Sequence, residues 1–270
     1  MVTPDHFRVE YVINPHMEGH IGTVDRPLAR EQWDALRATY ERLGVDVAVL
    51  AGGVGLPDMV FCANQTLPFR AADGTPGVVL SRMHAPQRAD EVALVADFFE
   101  REGYTLHTLP GTVPGSFEGM GDALWHPGRR RLWVGHGFRT DRAAVGAVAE
   151  ITGAETTALA LVDPDFYHLD TCLCPLDERT ALYYPPAFDD AGRAALADGF
   201  ERLIEVPEDD ARERFACNAH SPDGQHVILE RGNEATVARL REAGFEPVEV
   251  DTSEFLKSGG SVFCMKLMFW

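Results

Sequence analysis

DALWHPGRRRLWVGH (122–136) is two short apolar runs joined by a turn that carries Pro and Gly, and it reads as a β-hairpin. The same strand–turn–strand form recurs in MVFCANQTLPFRAADGTPGVVLS (59–81), DTCLCPLDERTALYY (170–184) and FACNAHSPDGQHVILE (215–230). Their turns hold the punctuation ADGTPG, PLDER and SPDG, in which Gly and Asp supply the backbone freedom and local hydrogen bonds a tight reversal needs. The units begin roughly 45–60 residues apart, a period that points to one supersecondary unit used repeatedly. A fifth unit would be GGSVFCMKLMF near the C-terminus, a strand that takes FRVEYVINPHM (7–17) as its partner.

Between the hairpins lie helical patterns at 27–44, 88–103, 140–153, 189–204 and 233–244. Gly44, Gly103 and Gly153 close three of them, and Thr140 is a candidate N-cap. Short apolar runs follow: VDVAVL, TLHTL, LALVD, LIEVP and PVEVD. Helix alternating with strand gives an α/β class. Units joined head to tail predict a five-bladed pseudo-symmetric α/β propeller, a single domain over 1–270 with both termini in one blade. The competing reading is an α/β protein with hairpins at irregular intervals. The ring is preferred because the polar residues discussed next fall at the same place in each unit.

Those residues are Asp58 and Asn64 in PDMVFCANQ, Glu118 and Asp122 in FEGMGDAL, His168 and Asp170 in FYHLDTCLCPL, and Cys264 in SGGSVFCMKLMFW. Each lies where a loop enters a strand, and in a ring those entries converge near the axis. Gly259 and Gly260 precede the thiol, where glycine permits a tight turn and close approach of a substrate. A cysteine becomes a nucleophile beside a base or a positive group. His168 can take that role and later protonate a leaving amine. Carboxylates match the N–H fork of a planar cation, and on a strand Asp170 would face the same side as His168. Taken singly, each residue has a plainer reading: a buried cysteine as a small hydrophobe, His168 as a satisfied polar group, Asp122 and Asn64 as turn chemistry. Their joint placement reverses those odds and describes attack by sulfur on the carbon of a bound guanidinium.

The whole chain sets limits. Of its 270 residues 45% are apolar, and the net charge is −18. Nucleic-acid binding needs a basic surface and is excluded; a cationic small substrate fits the field. No apolar run reaches the ~18 residues of a membrane span, and the N-terminus lacks the basic-then-apolar form of a leader. Five cysteines inside apolar runs read as a reducing cytoplasm without disulfides. His168, Cys172 and Cys174 in HLDTCLC would share one strand face, but no second cysteine pair completes a zinc set, so neither metal nor organic cofactor is expected.

On FEGMGD, HLDT and SGGSVFCM together, the chain resembles the guanidino-group-modifying enzymes, the pentein superfamily. This superfamily includes arginine deiminases, dimethylarginine dimethylaminohydrolases, amidinotransferases and arginine dihydrolases. The resemblance implies the five-bladed propeller with Cys264 as nucleophile, His168 as general acid and base, and Glu118 binding guanidino nitrogen and assisting His168. Asp170 would be a second carboxylate on the guanidinium, and Arg139 and Arg82 would receive the substrate's α-carboxylate. Deiminases and dimethylarginine hydrolases usually have aspartate at Asn64. Asparagine there, with VEYVINPHM, looks like the arginine dihydrolases, which convert arginine to ornithine, carbon dioxide and ammonia. A deiminase or dimethylarginine hydrolase giving citrulline, an amidinotransferase, and a non-catalytic pentein binding protein are the alternatives.

Overall fold

The computed structural model describes residues 1–269. Three units repeat one order. In the first, β1 (Thr66–Arg70) turns back into β2 (Pro76–Leu80), α2 (Glu91–Arg101) crosses over, and β3 (Thr105–Thr108) lies parallel to β2. The second runs β4 (Ala123–Trp125), β5 (Arg131–His136), α4 (Ala144–Thr152), β6 (Glu155–Ala160). The third runs β7 (Leu173–Pro175), β8 (Thr180–Tyr183), α5 (Asp190–Gly199), β9 (Arg202–Glu205). After α6 (Glu208–Arg214), the fourth pairs β10 (His226–Glu230) with a parallel β11 (Glu246–Val250) across α7 (Glu234–Glu242). Its antiparallel member shrinks to a single bridge, His220 to Ile228.

Local chemistry accounts for this order. Asp177 Oδ1 accepts from the N–H groups of Arg179 and Thr180, both at 2.7 Å. Asp223 Oδ1 does the same for Gln225 and His226, so the Asp of each turn caps its own reversal. Gly153 ends α4 in the left-handed region at φ 61°, its N–H on Ala149 O. The central strands β2, β5, β8 and β10 carry buried apolar residues on both faces, because helices cover one side and neighbouring units the other.

A helix precedes these units: α1 (Arg26–Arg42), whose N-cap Asp25 accepts from Leu28 N–H. Its buried Trp33, Leu36 and Tyr40 join Phe7, Phe61, Phe255 of α8 (Ser253–Leu256), Val262 and Met265 in a second core cluster. Burying each large side chain stabilises by about 1.5–3 kcal/mol. The backbone of Cys264 is therefore seated on packed apolar residues.

Several expectations are corrected. GGSVFCMKLMF is not a strand: Met265 N–H bonds Ser261 O and Lys266 N–H bonds Phe263 O, which makes a coiled turn. FRVEYVINPHM is irregular, ending in a 3-10 turn at Pro15–Met17; its buried positions are 7, 9, 14 and 17. VDVAVL contributes only the bridge of Leu50 to Val2. Thr140 does not cap α4, whose N-cap is Ala143; its hydroxyl instead accepts from Glu118 N–H at 3.1 Å. No ladder joins one sheet to the next among the described residues.

Candidate active site

The FEGMGD segment ends in α3 (Gly119–Asp122), a single turn that delivers straight into β4. Glu118 precedes that turn, fully buried. Its Oε1 accepts from His84 N–H at 2.8 Å, and its Oε2 faces His168 Nε2 at 2.6 Å and Arg139 at 3.3 Å. Burial alone raises a carboxyl, but the His168 hydrogen bond and the charges of His168 and Arg139 outweigh it and hold Glu118 down at about 2. Glu118 is thus a fixed anion behind the imidazole, and it orients the ring.

His168 is not on a strand. It is the N-cap of a 3-10 turn, Leu169–Thr171, that leads into β7. The alternation argument therefore does not apply, and the turn sends His168 and Asp170 to different partners. Leu169 N–H is held by Asp122 Oδ1 at 3.0 Å, which ties this turn to α3. Asp122 Oδ2 has no partner, and burial pushes that carboxyl up to about 7.

Asp170 Oδ2 accepts from the Cys264 thiol at 3.1 Å. Burial raises Asp170 to about 7. Burial, then the charge and hydrogen bond of Asp170, push Cys264 well above the ordinary thiol range. Both effects favour the protonated thiol at Cys264. A cation brought beside it opposes that shift and favours the thiolate.

Cys264 and His168 line one narrow pocket, with Asn14, Met17, Asp58, Asn64, Arg88 and Arg139 around them. Cys264 is 3% exposed and His168 2%, so water is largely excluded. Glu118 and Asp170 stand one layer behind the wall, each 0% exposed. Asp58 holds the rim: it accepts from Tyr11 OH at 2.7 Å and Ser258 Oγ at 3.0 Å. Asn64 Oδ1 accepts from Arg88 at 2.8 Å, while its Nδ2 is buried without a partner. Because Arg88 can only donate, the amide orientation is forced, and the free N–H group packs against Gly121.

Arg139 bonds Ile13 O at 2.6 Å and stacks over Tyr167 at 4.9 Å. Arg82 is not brought to this cavity. Its guanidinium is taken by the carbonyls of Leu109, Pro110, Val113 and Gly115, which fixes the loop before Glu118. Arg88, which sequence reasoning passed over, occupies the lining instead, neutralised by buried Glu91 at 2.8 Å. Asn218 was also missed; it contacts the thiol at 3.2 Å. Both lie in ordinary-looking segments, and only the lack of any apolar reason for burying them could have marked them.

Among the described residues no group of three or more His, Cys, Asp or Glu is placed to hold a metal ion. All five cysteines are buried and unpaired. No helix is long and apolar enough to cross a membrane.

Residues 17–268 match the family model of N,N-dimethylarginine dimethylhydrolase, eukaryotic type. The chain belongs to that family. Its relatives in it include the N(G),N(G)-dimethylarginine dimethylaminohydrolase of Mycobacterium tuberculosis, 44% identical over 99% of this chain and 84% of the relative. ArgZ of Synechocystis sp., a bifunctional arginine dihydrolase/ornithine cyclodeaminase, is 40% identical over 99% of this chain. The chain spans 37% of ArgZ's length. It matches the substrate-bound N-terminal domain of ArgZ, an arginine dihydrolase, with a TM-score of 0.91 at 40% identity, covering 99% of this chain and 96% of that one. A second structure of that domain carries a covalently bound reaction intermediate and matches with a TM-score of 0.90 at 40% identity, over 98% of this chain and 94% of that one. This dimethylarginine dimethylhydrolase-family chain is therefore a member of the pentein superfamily, with an α/β fold shared across the full match.

Proposed function

We propose that this chain hydrolyses the guanidino C–N bonds of L-arginine and acts as an arginine dihydrolase. The observation that carries the reading is one narrow pocket lined by the Cys264 thiol, the Glu118-backed His168, and Asn64, whose buried Nδ2 has no partner. We also read the fold as a five-bladed ring formed by one domain over 1–270. The four repeated units support this, as does the meeting of Leu50 N–H with Met1 O and of Ala63 N–H with Cys264 O. A reducing, cytoplasmic setting suits the unpaired cysteines.

Arginine's guanidinium lies on the side of the thiol nearest Asp170, whose Oδ1 is a buried acceptor without a partner. Arg139 meets the α-carboxylate, while the role expected of Arg82 reduces to shaping its loop. The positive guanidinium favours the thiolate, and His168 takes the thiol proton. Sulfur then bonds to the central carbon, one terminal C–N bond breaks, and His168 protonates the departing ammonia. His168 next removes a proton from water, which adds to the carbon as the C–S bond breaks. A ureido group results. Asn64 Nδ2 can donate to its oxygen, holding the group for a second attack. Overall, arginine and two waters give ornithine, carbon dioxide and two ammonia molecules. An aspartate at 64 would instead set a second acceptor against that oxygen and release the ureido product.

The test is incubation with L-arginine and, separately, with N(G),N(G)-dimethylarginine, scored by mass. Ornithine from arginine is the expected result. Citrulline from the dimethylated substrate, with arginine untouched, would establish the reading that the 44% identical relative favours. Cys264→Ser should abolish turnover while thermal unfolding stays within a few degrees; near-normal rates in that variant would refute both.

A further inference from the structure

We infer that Asn218 is a catalytic residue, a fixed amide that both shapes the nucleophile turn and donates a hydrogen bond to the reacting sulfur. The inference rests on the reading of Cys264 as nucleophile and assigns the group that stabilises its thiolate.

The argument is one of hydrogen-bond capacity. Asn218 is fully buried. Its Oδ1 accepts from two backbone N–H groups, Ser261 at 2.9 Å and Cys264 at 3.2 Å. Both are obligate donors, so the oxygen is identified without ambiguity and the other atom must be nitrogen. That Nδ2 donates to Asp170 O at 3.0 Å and to Cys264 Sγ at 3.2 Å. Two lone pairs and two protons are all used. The backbone carbonyl of Asn218 takes a third N–H, that of Phe263, at 3.0 Å. Three of the four amides from Ser261 to Cys264 therefore end on this one residue.

The turn is pinned at its other side. Ser261 Oγ meets Thr252 Oγ1 at 2.7 Å, and Thr252 donates through N–H and Oγ1 to Glu230 Oε2, both at 2.5 Å. This chain of bonds runs back to the end of β10 and locks the position of Ser261. The thiol then has two neighbours of opposite kind. It donates to Asp170 and accepts from Asn218. When the proton leaves, the bond to Asp170 is lost and repulsion replaces it. The bond from Asn218 strengthens, because its acceptor has become charged. Asn218 thus acts on the thiolate and on sulfur as a leaving group, and little on the resting thiol. Such an interaction raises kcat more than it lowers KM. No other side-chain type of this length offers one acceptor for two amides and a donor for sulfur.

The experiment compares wild type with Asn218→Asp, which is nearly isosteric, keeps the acceptor and deletes the donor. Arginine turnover and the pH profile of Cys264 alkylation by 2-chloroacetamidine are both measured. Loss of one charge-assisted hydrogen bond should lower kcat roughly 10- to 100-fold with KM within about 3-fold. The alkylation midpoint should move up by about one pH unit or more. A wild-type kcat with an unmoved midpoint would overturn the inference. If that variant does not fold, Asn218→Ser, smaller and uncharged, is read by the same two criteria. A further check needs no change at 218: between wild type and Cys264→Ser one asparagine side-chain amide pair should shift in a nitrogen–proton correlation spectrum, and unmoved asparagine amides would also overturn the inference. Retention of turnover in Cys264→Ser would instead defeat the underlying reading, so the two failures are distinguishable.

Discussion

Glu118 is the residue whose charge bears on stability and, in the proposed reaction, on the chemistry of His168. Its folded pKa of about 2 lies below the ordinary 4.5. The stabilisation is therefore present above about pH 4.5 and lost as pH falls toward 2, about 3 kcal/mol for this shift. Glu118→Gln should remove that acid-side slope in urea unfolding measured between pH 5 and pH 3. It should also lower kcat about 10²-fold, since His168 loses the anion that orients it; an unchanged rate would show that the ring is held by something else. At Asn64 the outcome is a product ratio. Asn64→Asp should move the mass balance from ornithine toward citrulline, because a carboxylate paired with Arg88 offers no N–H to the ureido oxygen. An unaltered ratio would remove Asn64 from the second hydrolysis.

At the scale of elements, α3 explains why FEGMGD contains two glycines. Gly119 sits at φ 54°, and a Cβ there would lie 2.6 Å from Thr66 O and 2.8 Å from Asn64 O. The clash is with backbone at the mouth of β1, which cannot swing aside. Gly119→Ala should destabilise by about 2–4 kcal/mol, from left-handed strain and overpacking together, read as a drop in the thermal midpoint. At Gly121 the Cβ would meet Asn64 Nδ2 at 2.2 Å and His168 Cγ at 3.4 Å. Gly121→Ala should therefore cost activity out of proportion to stability, since the side chains that must give way belong to the cavity. Equal losses in both would show that α3 is only a packing element. The same turn shows where reading by period stops. Hairpins, crossover helices and the Asp-capped turns were legible because they repeat with local signals. Single-turn segments at Gly119–Asp122, Leu169–Thr171 and after Gly260 have no period, and the strand alternation assumed for His168 and Asp170 failed there.

Across the whole molecule, the net charge of −18 gives a field that would draw the proposed cationic substrate. Long-range attraction of this kind is screened within about 8–10 Å at physiological salt. The kcat/KM for arginine should fall several-fold between about 20 mM and 300 mM salt with kcat nearly constant; a flat profile would mean that the field does not guide entry. The closed wall around Cys264 and His168 also has a global consequence. Ligand held inside binds only the folded form, so saturating arginine should raise the thermal midpoint of Cys264→Ser, and no shift would argue against binding at this cavity.

Sequence alone determined the α/β class, the repeated unit and the positions of the five longer helices, because hydrophobic period and turn chemistry are local properties. It also supplied Cys264, His168 and Glu118 as parts of one site. Only the tertiary structure decided that Glu118 stands behind His168, that Arg88 and not Arg82 lines the cavity, and that Asn218 grips the nucleophile turn. Those relations join residues tens to hundreds of positions apart through buried polar bonds, and nothing in a local pattern records which distant donor a buried acceptor will meet.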